Sequence, residues 1–139
     1  MASLKYLIPS GTSELLYKEN HYTQVVRIPG TPIVKLSGQG GWDSQKMDID
    51  ADDVEKQVEL AFKNVELMLQ HAGLKGWEDV YLQRTYHVGI ERSLKLVTEK
   101  SRKYCPNHAP VWTAIEVPKL GDPRMLIEIE VEAYDASQK

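Results

Sequence analysis

The 139-residue sequence has little cysteine, no long apolar run and no block of like charge. Its single cysteine, Cys105, excludes a disulfide within the chain. No stretch approaches the ~20 apolar residues of a membrane-spanning helix, and residues 1–5 lack the apolar run of a signal peptide. These absences predict a cytoplasmic protein without membrane spans.

The sequence also has no excess of positive charge: it contains 17 basic and 20 acidic residues, and its formal net charge is -3. Phosphate binding depends on clustered Lys and Arg, so this balance counts against nucleic acid as a partner. The four histidines show no metal-binding spacing, and no metal is expected. Cys105 has only His108 nearby in sequence as a base, so a Cys–His dyad is not predicted.

The length suits one domain, expected over residues 1–139, and hydrophobic residues make up 42% of it. Alternation and β-branched residues predict short strands, and apolar residues three and four apart predict helices. The expected strands are residues 5–8, 22–28, 32–36, 80–88, 111–117 and 125–134, and the expected helices are 53–71 and 91–104. This order predicts an α+β domain with a mixed sheet and two helices on one face.

The first helix carries the strongest signals. Asp52 is the expected N-cap, with Glu55 three residues later in a capping-box spacing. Gly73 is a natural residue for ending the helix. The predicted buried face comprises Val54, Val58, Ala61, Val65, Met68 and Ala72.

The last strand alternates cleanly between apolar and acidic residues. Ile127, Ile129 and Val131 should lie under the two helices, and Glu128 should point the other way. We place Trp112, Ala114 and Glu116 of the preceding strand on the same open face as Glu128, Glu130 and Glu132. A sheet face that mixes Trp with carboxylates suits a subunit interface or a cleft between subunits.

Four segments resemble the YjgF/Rid (reactive intermediate deaminase) family, also called endoribonuclease L-PSP-like. They are Tyr22-Thr23-Gln24, Ser37-Gly38-Gln39 after a strand, the helix end His71-Ala72-Gly73-Leu74, and the closing Ile127-Glu128-Ile129-Glu130. The resemblance spans about residues 5–134.

The resemblance implies a chorismate-mutase-like fold in a homotrimer, with the sheets forming a central barrel and ligand clefts between subunits. It implies hydrolysis of reactive enamines and imines to a keto acid and ammonia, without cofactor or metal. Some relatives are described as ribonucleases or translation inhibitors, and others as ligand-binding proteins. The acidic charge balance counts against RNA cleavage here.

One departure from the family pattern concerns substrate binding. Deaminating members carry Pro-x-Arg on the penultimate strand, where the arginine holds the substrate carboxylate. Here the matching residues are Pro110-Val111-Trp112, and Ala114 stands where many members have cysteine. An indole cannot pair with a carboxylate, so activity on imino acids is in question. Cations considered as replacements are Arg84, Arg102 and Arg124.

The resemblance assigns Glu128 as the catalytic residue that positions water, and it places Tyr22, Ser37 and Gly38 in the substrate cleft. Trp112 and Ala114 are the expected further lining, with Trp112 as a wall for a flat ligand. Each has a plainer interpretation: a polar strand residue for Glu128, interface packing for Trp112, and a tight bend for the glycines. Two functions therefore stay open, an imine deaminase and a binding module without turnover.

Overall fold

The computed structural model describes residues 3–138 and contains three helices and seven strands in that range. The helices are α1 (Thr12–Asn20), α2 (Val54–His71) and α3 (Ile90–Tyr104). The strands are β1 (Lys5–Leu7), β2 (Val25–Arg27), β3 (Ile33–Leu36), β4 (Gln39–Gly40), β5 (Val80–His87), β6 (Val111–Glu116) and β7 (Ile127–Tyr134). A 3₁₀ turn at Trp77–Asp79 precedes β5.

Helix α2 forms where its apolar stripe predicted it, but its N-cap is Asp53 and not Asp52. The Asp53 side chain accepts a hydrogen bond from the Lys56 backbone N–H at 3.0 Å. Asp52 instead lies in the preceding turn and is exposed. The helix ends at Ala72, and Gly73 follows at φ +94°, the left-handed conformation that favours glycine.

Replacing Asp53 with alanine is expected to lower the free energy of unfolding by about 1 kcal/mol, because one N–H of the first turn loses its acceptor. Urea denaturation monitored by circular dichroism measures this change. Asp52→Ala is the matched control and should change stability far less. Equal losses in the two variants would contradict the cap assignment.

The strands form one mixed sheet in the order β1-β2-β3-β7-β5-β6, and β4 pairs with β7. Only the β5–β6 pair is parallel, with α3 as its crossover. Helices α2 and α3 lie on one face, as predicted. Residues Ile127, Ile129, Val131 and Ala133 of β7 are fully buried beneath them, which confirms the predicted alternation.

The predicted face of β6 is wrong. Parallel pairing aligns Trp112 with Gln83 and Ala114 with Thr85, and both partners are buried on the helix side of the sheet. Aligned residues of paired strands point to the same face. Trp112, Ala114 and Glu116 therefore lie on the helix side, and the open face receives Val111, Thr113 and Ile115 beside Glu128, Glu130 and Glu132.

Helix α1 is an element that the sequence pattern did not predict. Its nine residues bury only one large apolar side chain, Leu16, so they show no apolar stripe. Leu16 instead joins a small second core with Trp42, Ile49 and Met125. This core lies beside the acidic, open face of β7, since its residues line the same pocket as Glu128.

Candidate functional site

Glu128 lies near the start of β7 on the open face of the sheet. Its carboxyl is largely desolvated, and burial, assisted by the nearby charge of Glu130, raises its pKa above the ordinary value. Gly38 lies directly against it. A Cβ at this glycine would come within 2.5 Å of Glu128 Oε1, so only glycine leaves the carboxyl in its present position.

Tyr22 lines the same pocket as this carboxyl, and Ser37 precedes Gly38 in the chain. Burial, together with the charge of Glu128, raises the pKa of the Tyr22 phenol, which is therefore neutral at physiological pH. Ser37 is fixed by two hydrogen bonds to the segment that precedes β2: its hydroxyl donates to the Thr23 carbonyl at 2.7 Å and its N–H to the Gln24 carbonyl at 2.8 Å. Gly38 and Tyr22 therefore lie beside Glu128, and Ser37 lies one residue before Gly38.

A pocket of about 590 Å³, here called the acid pocket, opens onto Glu128. Its apolar wall consists of Leu16, Trp42, Met47 and Met125, which the sequence analysis did not select. These residues come from α1 and two loops, so no periodic pattern links them. The glycines before Trp42 were the available signal: a Cβ at Gly40 would collide with the Trp42 ring at 2.6 Å.

The arginines of the site are already paired. Arg124 lines the acid pocket, but its guanidinium donates to Asp122 through Nε at 3.0 Å and Nη2 at 2.8 Å. Arg84 lies on the open face, 3.8 Å from Glu130 and 3.7 Å from Glu132. Arg102 lies on α3, exposed, and lines neither this pocket nor its neighbours. No unpaired arginine of the described chain faces Glu128.

The acid pocket can carry out acid–base chemistry. A desolvated carboxyl with a raised pKa binds a proton more readily than an exposed one and can act as a general base or acid. The neutral Tyr22 hydroxyl can donate or accept a hydrogen bond beside it. Lys46 and Arg124 bring positive charge to the pocket, and Glu19, Asp122 and Glu128 bring negative charge, so acidic groups predominate by one.

Trp112 and Ala114 lie away from the acid pocket, on the other face of the same chain's sheet. The Trp112 indole N–H donates to Thr85 Oγ1 at 2.8 Å, and the ring packs against the main core. Thr85 in turn contacts His87 at 2.7 Å, whose other ring nitrogen meets Ser93 Oγ at 2.6 Å. Within one chain, Trp112 is therefore a packing residue. Trp112 could reach an acid pocket only if that pocket belonged to a neighbouring copy of the chain.

Cys105 is not suited to act as a catalytic nucleophile. Burial raises the pKa of its thiol to about 11, so almost none is thiolate at neutral pH. We expect the native protein to react with Ellman's reagent at pH 7.5 at least ~10²-fold more slowly than the urea-unfolded chain. Similar rates before and after unfolding would contradict the buried, neutral thiol.

Residues 3–138 contain no cluster of three or more His, Cys, Asp or Glu side chains arranged to hold a metal ion. None of the helices in this part of the chain is both long enough and apolar enough to cross a membrane.

The fold and the pocket define a class: α+β domains with two helices on one face of a mixed sheet and an acidic pocket at the open face. Residues 12–135 match the family model described as Endoribonuclease L-PSP. The chain belongs to this family, the YjgF/Rid family. No curated protein matches it.

Solved structures agree with this membership. A YjgF/YER057c/UK114 family member from Mycobacterium tuberculosis is 28% identical with a TM-score of 0.76, over 95% of this chain and 99% of that one. The Rid-family protein YyfA from Yersinia pestis is 25% identical with a TM-score of 0.74, over 83% and 88% of the two chains. RidA from an Antarctic Psychrobacter is 23% identical over 84% of this chain and 89% of that one, and it shares the fold with a TM-score of 0.74.

Proposed function

We propose that this protein hydrolyses small reactive imines and enamines to carbonyl compounds and ammonia. The observation that carries the proposal is the Glu128 carboxyl, desolvated in the acid pocket and in contact range of Gly38. Family membership adds support, since RidA from an Antarctic Psychrobacter has the same fold.

The proposed chemistry begins from a protonated imine. Ionised Glu128 removes a proton from water as the water oxygen bonds to the imine carbon, and the C=N electron pair moves to nitrogen. Glu128 then gives this proton to the nitrogen. The C–N bond breaks as the carbonyl forms, and the hydroxyl proton leaves with ammonia as ammonium. Iminium and water thus yield a carbonyl compound and ammonium, and Glu128 is regenerated.

The substrate of this proposal carries no carboxylate. Trp112 replaces the arginine expected to hold one, and Arg124, the arginine in the acid pocket, already pairs with Asp122. The acidic balance of the pocket instead favours the positive charge of an iminium ion. We therefore expect imines derived from amines to react faster than imines derived from amino acids.

The proposal includes a homotrimer with ligand clefts between subunits. The open face exposes Val111 and Ile115 beside charged residues, a composition that suits a subunit contact. Trp112 and Ala114 would line the cleft only as contributions from a neighbouring copy. Light scattering coupled to gel filtration tests this: three times the 15.8 kDa chain mass supports the assembly, and the monomer mass contradicts it.

A binding module without turnover is the second candidate. It is favoured by Trp112, because an indole that donates to Thr85 and packs on the core supplies no charge for catalysis. Thermal-shift measurements with a metabolite panel separate the two: stabilisation by a ligand that is never consumed supports binding alone.

The direct test is competition for imine. An amine oxidase generates the imine from butylamine in situ, and semicarbazide traps what the protein does not hydrolyse. We expect wild-type protein to reduce semicarbazone formation, and to do so less for imines made by an amino-acid oxidase. Failure to divert either imine, while an arginine-bearing Rid protein works in the same mixture, would refute the deaminase proposal.

A further inference from the structure

A second pocket of about 520 Å³ lies next to the acid pocket, and four of its eleven lining residues are aromatic. We call it the tyrosine pocket; the residues used below are Tyr6, Tyr17, His21, Tyr22, Gln24 and Lys35. The strand register shows which face of the sheet forms the floor of this pocket. Tyr6 pairs with Val26 and Val26 with Lys35, and Lys35 pairs with Glu132 of β7, so this row lies on the same open sheet face as Glu128.

The aromatic walls come from three elements. Tyr17 and His21 lie one turn apart at the end of α1, with ring centroids 6.4 Å apart and planes inclined by 30°. Tyr6 comes from β1, and Tyr22 from the segment before β2. The tyrosines are 57% (Tyr6), 41% (Tyr17) and 36% (Tyr22) exposed. Aromatic rings left open around a concave surface indicate a ligand site.

An unpartnered hydrogen-bond donor lies in the same pocket wall. Gln24 is 1% exposed, and its Oε1 accepts a hydrogen bond from Gln39 Nε2. Among residues 3–138, Gln24 Nε2 has no hydrogen-bond partner. It lies near the Tyr22 hydroxyl without forming a hydrogen bond to it. A buried N–H group without an acceptor is costly, and a polar ligand atom would satisfy it.

Tyr22 lines both pockets. Ser37 lines the tyrosine pocket, and the next residue, Gly38, lies against Glu128. A molecule bound across Tyr22 would thus contact the aromatic walls of the tyrosine pocket and the Glu128 carboxyl. Lys35 offers little charge for a carboxylate, since its Nζ lies 3.6 Å from Glu132.

We propose that the tyrosine pocket binds the aromatic group of the substrate, which makes the substrate an arylalkyl imine with a polar ring substituent, such as the imine of tyramine. This specificity rests on the proposed deaminase function, whereas binding of the aromatic group does not. The phenol oxygen of such a ring would accept from Gln24 Nε2, and the ring would stack on the tyrosines.

The test uses Tyr17→Ala, because Tyr17 is exposed and its removal should not disturb the core. Tyr134→Ala is the matched control: Tyr134 is 51% exposed and lines neither pocket. Imines are generated in situ from tyramine and from butylamine by an amine oxidase. We expect Tyr17→Ala to lower kcat/KM about tenfold for the tyramine imine and to leave the butylamine imine unchanged.

Binding is measured separately by calorimetric titration of 4-hydroxyphenylacetamide, an amide that is not hydrolysed on this time scale. Wild-type and Tyr134→Ala proteins should bind it equally, and Tyr17→Ala about tenfold more weakly. Amide binding that depends on Tyr17, without any imine hydrolysis, would retain the aromatic site and refute the deaminase. Absence of amide binding, or equal weakening by both tyrosine variants, would overturn the tyrosine-pocket assignment.

Discussion

Replacing Glu128 with glutamine is expected to lower kcat/KM for imine hydrolysis by about 10²-fold or more. Glutamine keeps the size of the side chain and its place beside Gly38, but its amide can neither accept a proton from water nor return it. The semicarbazide competition assay measures the loss. Glu99→Gln, on an exposed position of α3, is the control and should retain full activity. Retention of activity by Glu128→Gln would remove Glu128 from the mechanism.

The same substitution should stabilise the fold at neutral pH. Burial raises the pKa of Glu128 in the folded protein, which means that folding disfavours the ionised form. The folded protein therefore loses stability as the pH rises through this raised pKa, and glutamine escapes that loss. The advantage of Glu128→Gln should disappear below the unfolded-state pKa, near pH 4, where both side chains are neutral.

Urea denaturation of wild-type and Glu128→Gln proteins at pH 7.5 and pH 3.5 measures this difference. A variant that is less active and more stable is the combination expected of a functional group held at a cost to the fold. A variant less stable at pH 7.5 would show that the ionised carboxylate is favourably solvated in the folded protein.

Replacing Gln57 with leucine should lower the free energy of unfolding by about 3 kcal/mol or more. Gln57 of α2 is fully buried, and three backbone groups depend on it. Its Nε2 donates to the carbonyls of Asp50 at 2.8 Å and Arg124 at 2.9 Å, and its Oε1 accepts from the Leu126 N–H at 2.8 Å. Leucine has a similar volume but satisfies none of them.

The matched control is Gln70→Leu, on an exposed position of the same helix. It should change stability by less than about 1 kcal/mol. Because Gln57 fixes the loop that leads into β7, its loss should also weaken imine hydrolysis through a misplaced Glu128. A cost for Gln57→Leu no larger than that of the control would show that water replaces the amide.

Much of the fold follows from sequence periodicity. The stripe of α2 and the alternation of β7 are set by burial against each other, so pattern and packing agree. Helix α1 lacks such a stripe. The face of β6 depends on its register with β5, a long-range property, and shifting a strand by one residue exchanges its two faces. An irregularity between Val80 and Leu82 likewise turns Arg84 to the face opposite Val80.

The sequence predicted site residues only in the segments that resemble the family. Glu128, Tyr22, Ser37 and Gly38 were selected from segments resembling the family. In the structure Gly38 lies against Glu128, Tyr22 lines the same pocket as Glu128, and Ser37 precedes Gly38. Trp42 and Met125 belong to loops joined by tertiary contacts, so the sequence pattern did not identify them. Trp112 was selected by its place in a motif, which specifies a position along the strand but not the sheet face on which its side chain lies.

The central place of β7 affects how the protein folds during synthesis. The strands β1–β3 and the pair β5–β6 are joined in the sheet only through β7, which is also the last strand to be made. Until it emerges from the ribosome, both partial sheets expose an edge and α2 lacks one of the strands against which it packs. The nascent chain should therefore remain dependent on chaperones until its final strand is free, and then fold in one cooperative step.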